Sequence, residues 1–409
     1  MISRTAAALL AGSPAIADAH FRAEAHPYHP ELRPDGYVNL GTAENRLVWD
    51  LLAERIADRP PTTEQQTRYA PLHGTDELRD RIAGLLTRLL GAPVKGDQLV
   101  VVSGATSALD AVASSLCDPG DAIVVPAPYY GAFDTDLAGR SGAVLLPTPY
   151  AEPQALPEAV EDAVGRARRD GLRVRAVALS SPCNPTGRVY PAAVLDRLLE
   201  VAARHGVEVI ADEVYAGSVF GAEPFASLAG RPGVHLVWGF AKDFGLPGLK
   251  AGVLHSTDPQ VLAAARAFAY FAPVATDTQA LLAWLLGDPD WVDGFLAEHR
   301  RRLGASYRAA AGLLDAAGIP HLPAQAGFSL WADLAAWLPA EDFAGERALW
   351  QDLLDRTRVS VLPGEVFHAD RPGRFRICHT ADPATVRTAL TRLGAHLTTP
   401  TPRPEGRTR

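Results

Sequence analysis

The chain has 409 residues, of which 47% are hydrophobic and 21% charged, with a formal net charge of -8. That length exceeds what one compact core usually holds, so a large domain and a smaller one are expected in a globular rather than disordered chain. The acidic balance excludes a broad basic surface for nucleic acid or anionic lipid and leaves small-molecule chemistry.

In chain order, Arg4, the apolar run Thr5–Gly12 and Ala15-Ile16-Ala17 imitate a secretory signal and its cleavage site, but the run is short for one. Apolar, β-branched runs then recur at Leu99–Ser103, Ala122–Pro126, Ala143–Leu146, Val174–Leu179, Val207–Ala211, His235–Gly239 and Gly252–Leu254, and several read as fully buried strands. Helical patterns at Ser107–Leu116, Pro157–Arg169 and Pro191–His205 alternate with them, which predicts an α/β domain with a largely parallel sheet covered on both faces. After about Phe271 the pattern changes to a long amphipathic stretch, Trp291–Ala317, and short strand-like pieces at Phe328–Ala332, Val359–Leu362 and Arg374–Cys378. These predict a second, α+β domain. The apolar segment Ala280–Leu286 lies between Asp277 and Asp288 and is too short to span a bilayer, so no membrane segment is expected. Cys117, Cys183 and Cys378 have no C-x-x-C spacing, which gives neither a disulfide framework nor a zinc site and fits a reducing cytoplasm. No metal is expected.

Five segments carry candidate chemistry. Ser103-Gly104-Ala105-Thr106-Ser107 lies between a strand and a helix, where free N–H groups and hydroxyls could cradle a phosphate, although a plain helix cap would also explain it. Pro128-Tyr129-Tyr130 offers an aromatic face or a packed core pair. In Ser181-Pro182-Cys183-Asn184-Pro185-Thr186-Gly187 the prolines stiffen a loop and fix the Asn184 amide. Asp212, in Ile210-Ala211-Asp212-Glu213-Val214-Tyr215, ends a buried strand and needs a cationic or hydrogen-bonding partner. Lys242, in Gly239-Phe240-Ala241-Lys242-Asp243-Phe244-Gly245, follows a strand, where a lone lysine is ordinarily solvated. Together the set supplies what a pyridoxal 5'-phosphate (PLP) site needs: a Schiff-base lysine, an acid for the pyridine nitrogen, donors to the ring oxygen, a stacking face and a phosphate cup.

These residues resemble the fold-type I PLP enzymes of the aminotransferase superfamily, and most closely the plant-type 1-aminocyclopropane-1-carboxylate (ACC) synthases. The likeness also runs through His26-Pro27-Tyr28-His29-Pro30, Leu40-Gly41-Thr42-Ala43-Glu44-Asn45, Gly131-Ala132-Phe133-Asp134 and Gly373-Arg374-Phe375-Arg376-Ile377-Cys378. The resemblance implies an aspartate-aminotransferase-like fold. Its parts would be an N-terminal segment 1–45 packing with the small domain, a PLP-binding domain 46–275 with a seven-stranded sheet, and a small domain 276–397; the tail 398–409, rich in Pro, Thr and Arg with no apolar face, is expected to be mobile. It makes Lys242 the Schiff-base lysine, Asp212 the partner of the pyridinium nitrogen, Tyr215 and Asn184 donors to the ring oxygen, and Tyr130 the stacking ring. Ala105 and Thr106 would hold the phosphate, Arg376 would clamp the substrate carboxylate, and Glu44 would lie near a sulfonium. Tyr69 would reach the phosphate of a neighbouring subunit in a homodimer. The chain departs from the pattern where the family has Ser-x-Ser before the lysine and an arginine eight residues after it. Gly239, Ala241 and Lys250 stand there, making a chemically poorer cup. Leu72 and Thr135 replace a tyrosine and an arginine of the ACC synthases.

The leading expectation is a lyase using S-adenosylmethionine. The alternatives are a class I/II aminotransferase, another PLP-dependent cyclase or oxidase, and a non-catalytic homologue, against which the intact set of polar site residues argues. A dinucleotide dehydrogenase is disfavoured because no G-x-G-x-x-G follows the first strand.

Overall fold

The computed structural model describes residues 14–397 with Ile2, Ser3, Ala6, Ala7 and Leu10; the tail from Thr398 and most of the signal-like segment lie outside the described residues. Among the described residues thirteen strands are formed: β1 (Val38–Asn39), β2 (Leu99–Val102), β3 (Ala122–Ala127), β4 (Val144–Pro149), β5 (Val174–Ser180), β6 (Glu208–Asp212), β7 (Val234–Gly239), β8 (Gly252–Ser256), β9 (His321–Leu322), β10 (Ser329–Asp333), β11 (Val359–Ser360), β12 (Leu362–Pro363) and β13 (Arg374–Cys378).

The strands β2 to β8 make one seven-stranded sheet in the order β2-β8-β7-β6-β5-β3-β4. It is parallel except for β8, which runs against both β2 and β7. The buried runs explain this sheet directly, since a strand covered on both faces has no polar side to present. On one face, Val124, Val177, Val209 and Trp238 pack under helices that include Asp76–Leu90, Leu156–Arg169 and Ala192–His205. On the other, Val100, Ile123, Ile210 and Leu254 pack against the helices Ala105–Leu116 and Pro259–Phe268. Each such side chain contributes about 1.5–3 kcal/mol by leaving water. The edge strand β4 is exposed along much of its length and carries Pro147 and Pro149, which an edge tolerates.

A second core joins a four-stranded antiparallel sheet, β12-β13-β10-β9, to the helices Phe343–Thr357 and Pro383–Leu397. The N-terminal helix Pro14–Ala25 and β1 belong to this core, with Val38 paired to Val359 in a parallel two-stranded sheet. The run Val359–Leu362, read as one strand, divides here into β11 and β12, which pair with different partners. Residues just after 275 still pack with the large sheet, through Leu282, Leu285, Leu286, Val292 and Phe295. The handover to the second core therefore falls inside the long helix Pro289–Ala316, whose Ala310 and Leu314 lie in that core.

Candidate active site

Because β8 opposes both its neighbours, β2 shares the direction of the parallel strands, and the loops after β2, β3, β5, β6 and β7 open at one edge. All five segments singled out above lie there, at the carboxyl ends where open α/β sheets bind ligands.

Lys242 sits on a single helical turn, Phe240–Asp243, that starts directly from β7. Its Nζ donates to the Ala43 carbonyl at 2.6 Å and lies 5.9 Å from the centre of the Tyr215 ring. Burial, reinforced by the Arg376 guanidinium, pulls the amine down to about 8, which brings its free-base form within reach near neutral pH. Asp212, buried at the end of β6, accepts from the Val214 N–H at 3.3 Å and has no ion-pair partner among the described residues. Burial pushes this acid up to about 7, and the nearby Asp136 carboxylate adds to the rise. Tyr215 is buried edge-on to Phe328 at 5.1 Å, and burial raises its hydroxyl above the ordinary range.

Arg376 comes from β13 in the second core and reaches across to the large sheet. Its Nη1 donates to Asn184 Oδ1 at 3.0 Å and its Nη2 to the Gly41 carbonyl at 2.5 Å, while the guanidinium lies 4.8 Å over the Phe367 ring. The buried Nε has no partner among the described residues. With Oδ1 turned to Arg376, the Asn184 Nδ2 is left to donate elsewhere. Glu44 is half-buried beside Ala43; its Oε2 accepts from Arg46 Nε and Nη2 at 3.1 and 2.9 Å, and its carbonyl accepts from Thr380 Oγ1 at 2.6 Å.

The loop after β2 turns into its helix through Gly104 at φ +89°, a conformation that glycine adopts without strain. A Cβ on Gly252 would lie 2.3 Å from the Gly104 carbonyl carbon, so glycine is also what lets β8 pass against this loop. The first-turn N–H groups at Ala105 and Thr106 are the kind a helix leaves free for an anion. The Lys250 Nζ stands 3.9 Å from where a Cβ on Gly104 would be. Thr106 Oγ1 donates to Asp136 Oδ2 at 3.2 Å, and burial pushes that acid up to about 6. Tyr130 is half-buried, edge-on to Phe133 at 5.6 Å.

The fold thus brings together Lys242, Asp212, Tyr215, Asn184, Arg376, Glu44, Tyr130, Ala105, Thr106 and Lys250. It does not bring Tyr69, which is fully exposed on a separate cleft of about 560 Å³ lined by Pro71, Leu72, Pro273 and Gln279. Sequence reasoning missed Asp136, which stands in Asp134-Thr135-Asp136 with no residue-type signal that it is buried. It also missed the Gly41 and Ala43 carbonyls, since main-chain acceptors leave no residue-type signal.

The donor set fits PLP: a buried amine of lowered basicity, a buried acid without a cation, a helix N-terminus beside an ammonium, and a guanidinium whose Nε–H has no partner among the described residues. Such a fold and site define a fold-type I PLP enzyme, and residues 35–393 match the family described as aminotransferase class I and II. The chain belongs to that family. It is 34% identical over 393 residues to 1-aminocyclopropane-1-carboxylate synthase 2 of Cucurbita pepo and 35% identical over 395 residues to synthase 6 of Arabidopsis thaliana, in each case across 90% of this chain and 80% of the relative. Among solved structures, aspartate aminotransferase from Thermus thermophilus with maleate is similar at a TM-score of 0.79 and 25% identity, covering 97% of this chain and 99% of that one.

Proposed function

We propose that the chain is an ACC-synthase-like lyase that acts at the α-carbon of S-adenosylmethionine and releases methylthioadenosine, by α,γ-elimination or γ-replacement. One observation carries this reading: the segment Gly41–Glu44 spans the site. Its Gly41 carbonyl holds the Arg376 guanidinium, its Ala43 carbonyl holds the Lys242 amine, and Glu44 follows directly. A carboxylate clamp, a base and an anion therefore lie on one strip of backbone, matching a substrate with a carboxylate, an acidic Cα–H and a sulfonium.

In this reading Lys242 carries PLP, Asp212 faces its ring nitrogen, Asn184 and Tyr215 donate to its ring oxygen and Tyr130 covers the ring. The first helical turn at Ala105 and Thr106, with Lys250, holds the phosphate. Bound PLP supplies an electron-accepting ring conjugated to the substrate amine. Arg376 takes the α-carboxylate through its free Nε. Lys242, poised near neutrality, removes the α-proton. For α,γ-elimination the Cα–H and Cγ–S bonds break, the Cα–Cγ bond forms, and the sulfur leaves with the bonding pair as a neutral thioether. In γ-replacement an external nucleophile closes on Cγ instead. The chain would work as a homodimer, with Tyr69 reaching the partner's phosphate, in the cytoplasm; no helix among the described residues is long and apolar enough to cross a membrane.

Aminotransferase activity is the second reading, and one contact favours it. Glu44 is already paired with Arg46 at 2.9 Å, so its charge is partly compensated before any sulfonium arrives. Purified protein with S-adenosylmethionine, and separately with amino acids plus 2-oxoglutarate, separates the two by mass spectrometry. Methylthioadenosine supports the lyase, and glutamate formation without it overturns that reading.

A further inference from the structure

Behind Lys242 runs a chain of buried hydrogen bonds that the roles above do not use. Asn45 Nδ2 lies 3.1 Å from His299 Nδ1, His299 Nε2 lies 3.0 Å from Ser218 Oγ, and Ser218 Oγ donates to Asp243 Oδ1 at 2.7 Å. Asp243 Oδ2 accepts from the Gly217 N–H and from Trp238 Nε1, both at 2.9 Å. Asn45, Ser218, Asp243 and His299 are all buried.

The direction of the chain is fixed from one end. Asn45 Oδ1 accepts from the Leu47 N–H at 3.0 Å, so its Nδ2 is the group that faces His299 and donates to Nδ1. His299 must then be the neutral Nε2–H tautomer, donating to Ser218, which donates in turn to Asp243. Burial holds the imidazole down to about 4, in keeping with a neutral ring. Each of the four side chains is bonded to the next, and the chain ends on a carboxylate with three donors. Such a buried network is stiff.

Its two ends are the informative part. Asn45 stands two residues from Ala43, whose carbonyl accepts the Lys242 amine, and Asp243 adjoins Lys242 itself. A Cβ on Gly245 would lie 2.9 Å from the Asn45 carbonyl oxygen, so the two segments are also in close backbone contact. We infer that His299 is a positioning residue: through Asn45 on one side and Ser218–Asp243 on the other, it fixes the Ala43 carbonyl as the resting acceptor of the Lys242 amine whenever that amine is bonded to nothing else. An amine held there stays aimed at the site instead of swinging free. This rests on Lys242 being the reacting amine proposed above.

The test uses the full chain loaded with pyridoxamine phosphate, which leaves the Lys242 amine free, and follows the pH dependence of its acetylation by peptide mass spectrometry. A carbonyl acceptor favours the ammonium form, as do Cys378, Asp212 and Glu44 nearby, while burial and Arg376 oppose it. Loosening the acceptor in His299→Leu should therefore lower the apparent pKa of Lys242 by about half a unit or more, with kcat reduced and KM little changed. Ser218→Ala cuts the same chain with a smaller change in volume and should shift the pKa in the same direction. His299→Gln, which offers both a donor and an acceptor, should restore much of the effect. An unchanged Lys242 pKa in both His299→Leu and Ser218→Ala would overturn the inference; if His299→Leu does not fold, Ser218→Ala decides. Borohydride fixation of PLP on Lys242 in the unaltered protein is scored separately, and its failure there would sink the functional reading instead.

Discussion

The two ends of the site are built to different standards. At the amine and carboxylate end, Arg376, Asn184, Lys242 and the Gly41–Glu44 strip hold one another at 2.5 to 3.0 Å. At the proposed phosphate end, Gly239 and Ala241 offer no side-chain donor, Lys250 is exposed, and the Thr106 hydroxyl is turned to the buried Asp136. The contrast teaches that the groups proposed to act on the substrate brace one another, while few side chains are offered where the cofactor's phosphate is proposed to sit. The polar residues that meet at one edge of the large sheet thus separate into a rigid set and a sparse one.

The largest expected effect lies at Asp212, beside the rigid set. Asp212→Asn should keep PLP bound but lose activity by about 10²- to 10³-fold, the scale of a broken buried ion pair; turnover within about threefold of the original would break the comparison. Next, Arg376→Lys should raise KM for the amino-acid substrate roughly tenfold or more, because an ammonium cannot replace the fork that holds Asn184, Gly41 and a carboxylate at once. Steady-state kinetics at fixed PLP checks this, and a change confined to kcat would contradict the clamp.

A pH effect follows from Asp212 being raised from 3.8 to about 7. Its folded pKa is above its unfolded one, so its contribution to stability is fully present below about pH 4 and is lost as pH rises through 7. Cofactor-free protein should therefore melt at progressively lower temperature between pH 4 and 8, and Asp212→Asn should flatten that fall by several degrees. Parallel melting curves for the two would remove the argument for an uncompensated acid. The smallest effects concern the sparse end. Lys250→Arg should tighten PLP by about 1 kcal/mol, one net hydrogen bond, as read by equilibrium dialysis. Ala241→Ser should act in the same direction. Gly239→Ser should not, because a Cβ there would meet the Ala251 carbonyl oxygen at 3.1 Å and the Gly252 Cα at 3.4 Å. Weaker binding in Lys250→Arg would mean that the pocket is shaped around the ammonium.

Much of this was legible from sequence because of where the residues stand. Runs such as Leu99–Val102 and Ala122–Ala127 are apolar throughout, so a doubly covered strand is their natural state, and the segment that follows each run marks the site edge. Strand β8 opens on an equally apolar run, and nothing in Gly252–Leu254 says that it runs against its neighbours. The relay through His299 was invisible for a different reason: it joins Asn45, Ser218, Asp243 and a residue in the middle of a long helix, and each alone reads as an ordinary polar side chain. Tyr69 shows the converse, a residue named by resemblance that a single chain leaves fully exposed.

The central claim is that Lys242 is the amine that carries PLP. It is tested most directly by reducing the purified, PLP-loaded protein with borohydride and mapping the modified peptide by mass spectrometry. The phosphopyridoxyl group is expected on Lys242 alone, with the near-visible absorbance lost on reduction. Labelling at Lys250 or Lys95 with Lys242 unmodified, or no covalent adduct at all, would contradict it.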